Sequence, residues 1–420
     1  MTPVGLAWAS SLSACRAAIT PAKTRMKTPV PVRIAFFASI SFTFPNDQAC
    51  PSSFLCLGTL VQVDLKPSLA GLDSSELQGL MAQFGQPAYR GRQIAQWVYR
   101  KFAGSVEEMA DLPASLRREL AESYRVLPLE TAPHKTSSDG VDKLLVHQGD
   151  GEVFECVHLP YAERTSCCIS SQVGCPMGCT FCATGLGGFD RNLSAGEIVG
   201  QVLLLQTIAP KRISHVVFMG MGEPLLNLPN VVKAMRLLHE EVGLSYRHLT
   251  VSTVGIVPQI LELAELKLPI HLALSLHSPF DEVRGRLMPV NKKWPVREVI
   301  AAMKEHYKAT GRKITIEYLL IHEVNDSIEE AAALASLIKG TPSVVNLIPF
   351  NWVDTGQGFA RPTRERVNSF RGVLESKGVN VTERVERGHD IAAACGQLAG
   401  QHKGRFAKKQ GLSALPRAEA

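Results

Sequence analysis

Hydrophobic positions recur with a helical period from Asp73 onward. Leu77, Leu80, Met81 and Phe84 fall at i, i+3, i+4 and i+7, and Asp73 with Glu76 reads as a capping box. A second helix follows Gln86-Pro87 and buries Ile94, Trp97 and Val98. A third is predicted to start at Ser105 with Glu108 as its capping partner. Beyond residue 139 the period drops to two, and 143–147 and 152–159 read as strands around the Gly-Asp-Gly turn at 149–151. From residue 166 the chain alternates. Strands are predicted at 166–170, 215–219, 249–254, 270–276, 314–321, 344–348 and 379–384. Helices fall between them at 194–207, 230–241, 258–266, 295–310, 327–339 and 363–376. Such alternation is the mark of parallel α/β structure. Six βα units, with no G-x-G-x-x-G opening a helix, fit a partial (β/α)6 TIM-like barrel better than a dinucleotide-binding sheet. The expected organisation is a leader (1–66), a helical accessory domain (67–125), a β-hairpin linker (126–165), the barrel (166–400) and a basic tail (401–420).

Composition narrows this picture modestly. With 420 residues and 45% apolar content the chain can bury a large core. The leader contains Arg16, Lys23, Arg25, Lys27 and Arg33, is rich in Ser, Thr and Ala, and is poor in acids. An organelle transit peptide and upstream sequence from an overlong start assignment both look like this, and either way the leader is expected to be disordered. No stretch approaches the roughly 20 apolar residues of a membrane span. A net charge of +6 is compatible with a nucleic-acid partner without requiring one. Basic Arg90, Arg92, Arg100 and Lys101 interleave with Tyr89, Trp97, Tyr99 and Phe102; this is either an ordinary solvated helix face or an RNA-docking face.

The chemistry concentrates in CCISSQVGCPMGCTFCATGLGGFDRNLSAGE, from Cys167 to Glu197, which holds five of the ten cysteines. Cys175, Cys179 and Cys182 form a C-x3-C-x2-C run. Thiolates at this density attract soft metals and hold iron–sulfur clusters. A zinc site normally takes four ligands in pairs, and no second Cys/His pair stands near. If the run holds a [4Fe–4S] cube, one iron is left without a cysteine, and S-adenosylmethionine can fill that corner through its amino and carboxylate groups. Other polar residues sit where barrel strands end, at Gly220-Met221-Gly222-Glu223-Pro224, Ser252, Ser275-Leu276-His277 and Asn351. Taken singly, each also reads as a turn or a cap.

This spacing, with an aromatic before the third cysteine, resembles the radical S-adenosylmethionine enzymes. More narrowly, SSQVGCPMGCTFCATG, GMGEPLLN, SLH, NLIPFN and ACGQLAG resemble the RNA adenine-C2 methyltransferases of the RlmN type, over about 77–400. The resemblance implies a [4Fe–4S] cluster on Cys175, Cys179 and Cys182, and S-adenosylmethionine on Gly222, Glu223, Ser252, Ser275, Leu276, His277 and Asn351. It implies a catalytic pair, Cys168 and Cys395, and Glu155 as proton acceptor. On its residues alone Glu155 is an exposed strand carboxylate and Cys395 a small buried hydrophobe.

Adenine C2 is electron-poor and does not attack a methyl sulfonium, whereas a cysteine does. The mechanism the resemblance implies therefore methylates Cys395 first. A 5′-deoxyadenosyl radical takes a hydrogen from that methyl, and the carbon adds to C2. Cys168 then attacks Cys395, releasing methylated RNA and leaving a disulfide. The implied substrates are an adenosine of 23S rRNA at the peptidyl-transferase centre and the tRNA adenosine 3′ of the anticodon. An electron donor such as flavodoxin or ferredoxin, a monomeric state and a cytoplasmic location (an organelle, if the leader is a transit peptide) are the accompanying expectations. The related C8-methylating resistance enzymes and a non-catalytic iron–sulfur RNA-binding protein are the alternatives. Strand alternation points Cys167 and Cys168 to opposite faces, so only one of the doublet can reach a site.

Overall fold

The computed structural model describes residues 66–148, 152–353 and 355–398, all within one compact unit. The expectations for the leader up to residue 65, the 149–151 turn and the 401–420 tail lie outside the described residues.

Three helices come first: α1 (Ser74–Gln83), α2 (Tyr89–Tyr99) and α3 (Ala114–Ser123). At the start of α1 the Asp73 carboxylate accepts from the Ser75 and Glu76 amides, and Glu76 reaches back to the Asp73 amide at 2.8 Å. Leu77, Leu80, Met81, Ile94, Val98, Leu116 and Leu120 are buried together. The third helix starts at Ala114, not at Ser105. The Glu108 carboxylate does accept from the Gly104 and Ser105 amides, at 3.1 and 3.0 Å, but it closes a turn. Pro113 disfavours helical backbone at Leu112, so no helix can run through from Ser105.

The helical segment is fastened to the rest of the chain. Cβ atoms are missing where it crosses the barrel: one added at Gly71 would lie 2.7 Å from the Gly196 Cα, so both glycines are needed for the approach. Arg100 donates to the carbonyls of Val242 at 2.9 Å and Glu240 at 3.2 Å. Although exposed, it therefore also ties the helical segment to the end of α6.

Next come β1 (Glu130–Thr136), β2 (Asp142–His147) and β3 (Val153–Pro160), an antiparallel meander, then β4 (Thr165–Cys168). β1 extends the expected hairpin by a third strand. Pro133 and a register shift between Thr131 and His134 hide it from a pattern search. A two-stranded flap, β5 (Gln172–Gly174) and β6 (Phe189–Asn192), brackets the cysteine loop, with α4 (Ala183–Gly187) between them.

The barrel continues with α5 (Ala195–Ile208), β7 (His215–Phe218), α6 (Leu228–Glu240), β8 (Leu249–Thr253), α7 (Val257–Glu265) and β9 (His271–Ser275). After β9 come α8 (Asp281–Leu287), α9 (Val296–Thr310), β10 (Ile314–Leu320), α10 (Ile328–Ile338), β11 (Ser343–Pro349), α11 (Arg364–Ser376) and β12 (Asn380–Glu383). The sheet runs β1-β2-β3-β4-β7-β8-β9-β10-β11-β12, parallel from β4 onward. It is a partial (β/α)6 barrel extended by a meander. Helices cover one face of its parallel strands and the other face lines the barrel interior. The carboxyl ends of these strands, with the cysteine loop that follows β4, form one face of the molecule.

Candidate active site

Two adjoining cavities open at the carboxyl ends of the strands. One cavity is lined by Cys168, Met219, Tyr161, Arg384 and Cys395. The other is lined by Phe181, Gly222, Glu223, Ser252, Ser275, His277 and Asn351. Cys182, Arg384, Asn351 and Cys395 border both.

The backbone explains how the second cavity gets its polar wall. Gly222 has φ +101°, and a Cβ there would meet Gln172 Cβ at 2.6 Å. Only glycine lets the turn after β7 press against β5. Gln172 Oε1 then accepts from the Glu223 amide at 2.8 Å. The Glu223 carboxyl accepts from the amides of Leu225 at 3.0 Å and Val254 at 2.8 Å. Burial pushes its pKa up to about 7 against the pull of those amides and of Thr253. Ser252 Oγ and Ser275 Oγ are 3.3 Å apart at the ends of β8 and β9. His277 sits at φ +61°; its Nδ1 accepts from the Leu319 amide at 3.0 Å, which places the proton of the neutral ring on Nε2. Burial, then the nearby Arg284 charge, pushes its pKa down to about 3. Phe181 meets the ring edge-to-face at 4.9 Å. Leu276 is set apart from the other strand-end residues. Its side chain is fully buried, its amide donates to Glu317 and its carbonyl accepts from Arg284.

The three loop cysteines stand beside this wall. Burial raises all three thiols: Cys175 to about 12, Cys179 well above the usual thiol range, and Cys182 upward. Cys175 feels the charge of Cys182, and Cys179 that of both Cys182 and Cys175, so the three lie within electrostatic reach of one another. Buried thiols that resist ionisation to this degree suit a group whose positive charge offsets their own. Among the described residues no three Cys, His, Asp or Glu side chains are arranged to hold a single metal ion. A cube bound one thiolate per iron does not require them to meet at a point. The donor set fits a [4Fe–4S] cluster.

The segment carrying Cys395 is clamped over the cysteine loop. The Gly396 carbonyl accepts from the Ala183 amide at 2.9 Å, Thr184 Oγ1 donates to the Leu398 carbonyl, and Asn351 Nδ2 donates to the Cys395 carbonyl at 3.3 Å. Cys168, at the end of β4, faces the same cavity, while Cys167 is fully buried and does not line it. Burial, then Cys395, raises the Cys168 thiol to about 12, with Arg384 opposing. Arg384 reaches in from the end of β12, its Nη1 donating to Met219 Sδ at 3.6 Å. The Cys395 charge, followed by Glu317 and Cys168, holds its guanidinium firmly protonated. Sequence reasoning missed Arg384; an arginine ending a strand carries no signal until β12, β4 and the 395 loop meet.

Glu155 lies on β3, two residues before Val157, which lines the first cavity, but does not itself line either cavity. Its carboxylate pairs with Lys143 at 3.1 Å. Lys143 also donates to the Ala392 carbonyl at 3.0 Å, tying the pair to the segment that carries Cys395.

A partial barrel with a three-cysteine loop above its strand ends is the architecture of a radical S-adenosylmethionine enzyme, and residues 169–335 match the radical SAM superfamily model. Residues 68–126 match a ribosomal RNA large subunit methyltransferase N-terminal domain. The chain is 49% identical to the probable dual-specificity RNA methyltransferase RlmN of Symbiobacterium thermophilum, over 80% of this chain and 93% of that protein. It is 45% identical to the corresponding protein of Thermosynechococcus vestitus, over 79% of this chain and 97% of the relative. A solved radical SAM methyltransferase from Sphaerobacter thermophilus superposes with TM-score 0.78 at 42% identity, covering 80% of this chain and all of that one. The chain belongs to the RlmN family of radical S-adenosylmethionine RNA methyltransferases. Its cofactors are a [4Fe–4S] cluster and S-adenosylmethionine.

Proposed function

We propose that this enzyme methylates C2 of adenine in two RNAs, 23S rRNA at the peptidyl-transferase centre and tRNA next to the anticodon. The observation that carries this reading is that Cys168 and Cys395 line one cavity, with Arg384 beside them. Cys175, Cys179 and Cys182 would hold the cluster. Gly222, Glu223, Ser252, Ser275, His277 and Asn351 would hold S-adenosylmethionine, with Leu276 supporting them from behind. When bound, these groups supply a carbon radical able to take hydrogen from an S-methyl group.

The chain's own residues do the rest. The Cys395 sulfur accepts a methyl group, and Arg384 stabilises the thiolate that attacks. The target base must leave its stack to reach the cavity. After the methyl carbon has joined C2, Glu155 takes the C2 proton, and the adduct's unpaired electron would return to the iron–sulfur group. The Cys168 thiolate then attacks the Cys395 sulfur; one S–S bond forms, the sulfur–carbon bond breaks with its electron pair left on the carbon, and a proton completes the methyl group as the base leaves.

RNA is docked in this reading by the exposed side of α2. There Lys101 Nζ lies 3.5 Å over the Trp97 ring and Arg90 packs on Tyr89 at 4.9 Å. The enzyme acts in the cytoplasm as a monomer, reduced by flavodoxin or ferredoxin. No helix among the described residues is long and apolar enough to cross a membrane.

The test is anaerobic reconstitution with substrate RNA, S-adenosylmethionine and a reductant, followed by mass spectrometry of the nucleosides. 2-Methyladenosine is the expected product, and Cys395→Ala should form none. A product methylated at C8, or an active Cys395→Ala variant, would overturn the reading.

A further inference from the structure

Arg284 on α8 is fully buried. Its Nε donates to the Leu276 carbonyl at 3.1 Å, Nη1 to Asn291 Oδ1 at 2.7 Å and Nη2 to the Val254 carbonyl at 2.5 Å. All three acceptors are neutral. Weaker bonds to the Trp294 and Ser275 carbonyls, both at 3.5 Å, are likewise to neutral oxygens. Asn291, which accepts from Arg284, in turn donates its Nδ2 to Asp281 Oδ1 at 2.9 Å. A guanidinium withdrawn from water without an anion is costly, because hydrogen bonds to carbonyls satisfy its protons and leave its charge.

The helix that carries it is built against the cysteine loop. Cys179 packs in one apolar cluster with Leu287 and Met288 at the end of α8. The next residue, Thr180, donates its amide to the Leu287 carbonyl at 2.9 Å. So the helix that carries Arg284 also grips the loop at Cys179.

We propose that Arg284 is the counter-charge of the cluster, a positioning residue whose fixed positive charge favours the reduced cluster. The inference rests on the reading that Cys175, Cys179 and Cys182 hold a [4Fe–4S] group. Thiolate-bound clusters are anionic, and their potentials respond to nearby charge and hydrogen bonding. Reduction adds one negative charge. A neighbouring cation therefore lowers the free energy of the reduced form more than that of the oxidised form, and the potential rises. Three cysteines in place of four leave one corner for S-adenosylmethionine, whose cleavage begins with that reduced state.

The experiment is an EPR-monitored redox titration of the reconstituted full chain. At the wild-type midpoint, Arg284→Gln should lower the ratio of reduced to oxidised cluster about tenfold, equivalent to about 59 mV for one electron. Arg284→Lys, which keeps the charge and loses the fork, should stay within about threefold of wild type on the same scale. Iron content should be unchanged in both. Full iron content with a wild-type midpoint in Arg284→Gln overturns the proposal. So does an Arg284→Lys shift as large as that of Arg284→Gln, since geometry and not charge would then be responsible. Should Arg284→Gln fail to fold, Asn291→Asp places a carboxylate against the guanidinium and neutralises it in place. It must then show the same fall, and an unchanged midpoint there is equally fatal. A wild-type chain that takes up no iron removes the cluster reading itself, which is a different failure from an unmoved potential.

Discussion

Cys167 and Cys168 are neighbours in the chain with different chemical surroundings. Cys168 faces the cavity that it shares with Cys395 and Arg384, whereas Cys167 lies on the opposite face of β4, where burial and then Cys156 hold its thiol well above the usual range. Cys168→Ala is therefore expected to stall with RNA covalently attached to Cys395, seen as a slow-migrating species on a denaturing gel. Cys167→Ala should turn over nearly normally, and the adduct should vanish from Cys168→Ala when Cys395 is also replaced. Accumulation in Cys167→Ala would mean that the doublet is read one residue out of register. The alternation of side chains along a strand makes this distinction legible in the sequence. Arg384 and Arg284 were not legible, because each acts across elements that only the fold brings together. Leu276 shows the converse. Its place in Ser275-Leu276-His277 suggests a ligand contact; just past β9 its side chain is buried in the core, and its backbone bonds to Glu317 and Arg284.

Among the elements, the long periodic ones were plain in the sequence, since each barrel strand and helix buries enough apolar surface to impose its period. The short ones were not. β5 and β6 are three and four residues long, too few for any period, and β1 contains a proline and a bulge. The segment at Ser105 carried a genuine capping pair on an element that stops before a helix can form. α10 offers an element-scale test. Its Glu330 is held between Ser278 Oγ, at 2.9 and 3.0 Å, and the Tyr318 hydroxyl at 2.9 Å, and it joins the helix to the end of β9 and to β10. Burial raises its pKa from 4.5 to about 7 against those two hydroxyls. The folded chain thus binds this proton more tightly than the unfolded chain. Its stabilising effect is complete below about pH 4.5 and is lost as the pH rises through about 7. Thermal melts of Glu330→Gln should fall less steeply than wild type across that interval. Glu223 shares the shift, so the slope should shrink without vanishing. Parallel slopes in the two proteins would exclude Glu330 as a source of the dependence.

At the scale of the whole molecule, the helical segment is joined to the barrel through polar contacts gathered at the end of α6. Arg100 takes the carbonyls of Glu240 and Val242, while the Glu241 carboxylate accepts from the Ser74 amide at 2.8 Å and the Ser74 hydroxyl at 2.7 Å. A cation at the carbonyl end of one helix and an anion at the amide end of another both follow the helix dipoles. Exposed charged contacts contribute less than buried ones, about 1 kcal/mol or below each, but several act together here. Arg100→Ala combined with Glu241→Ala should therefore loosen this junction without opening the barrel core. Hydrogen exchange is the direct readout: amides of α1 and α2 should exchange at least tenfold faster than in wild type, while those of β7 to β11 keep their rates. If the helical segment presents RNA to the cavity, the same variant should bind substrate RNA more weakly. Methylation of Cys395, which needs only the barrel, should continue. Weakened RNA binding together with unmethylated Cys395 would show instead that the damage had spread into the barrel. Unchanged exchange in α1 and α2 would mean that the Gly71–Gly196 contact and the shared apolar core hold the segment without these charges.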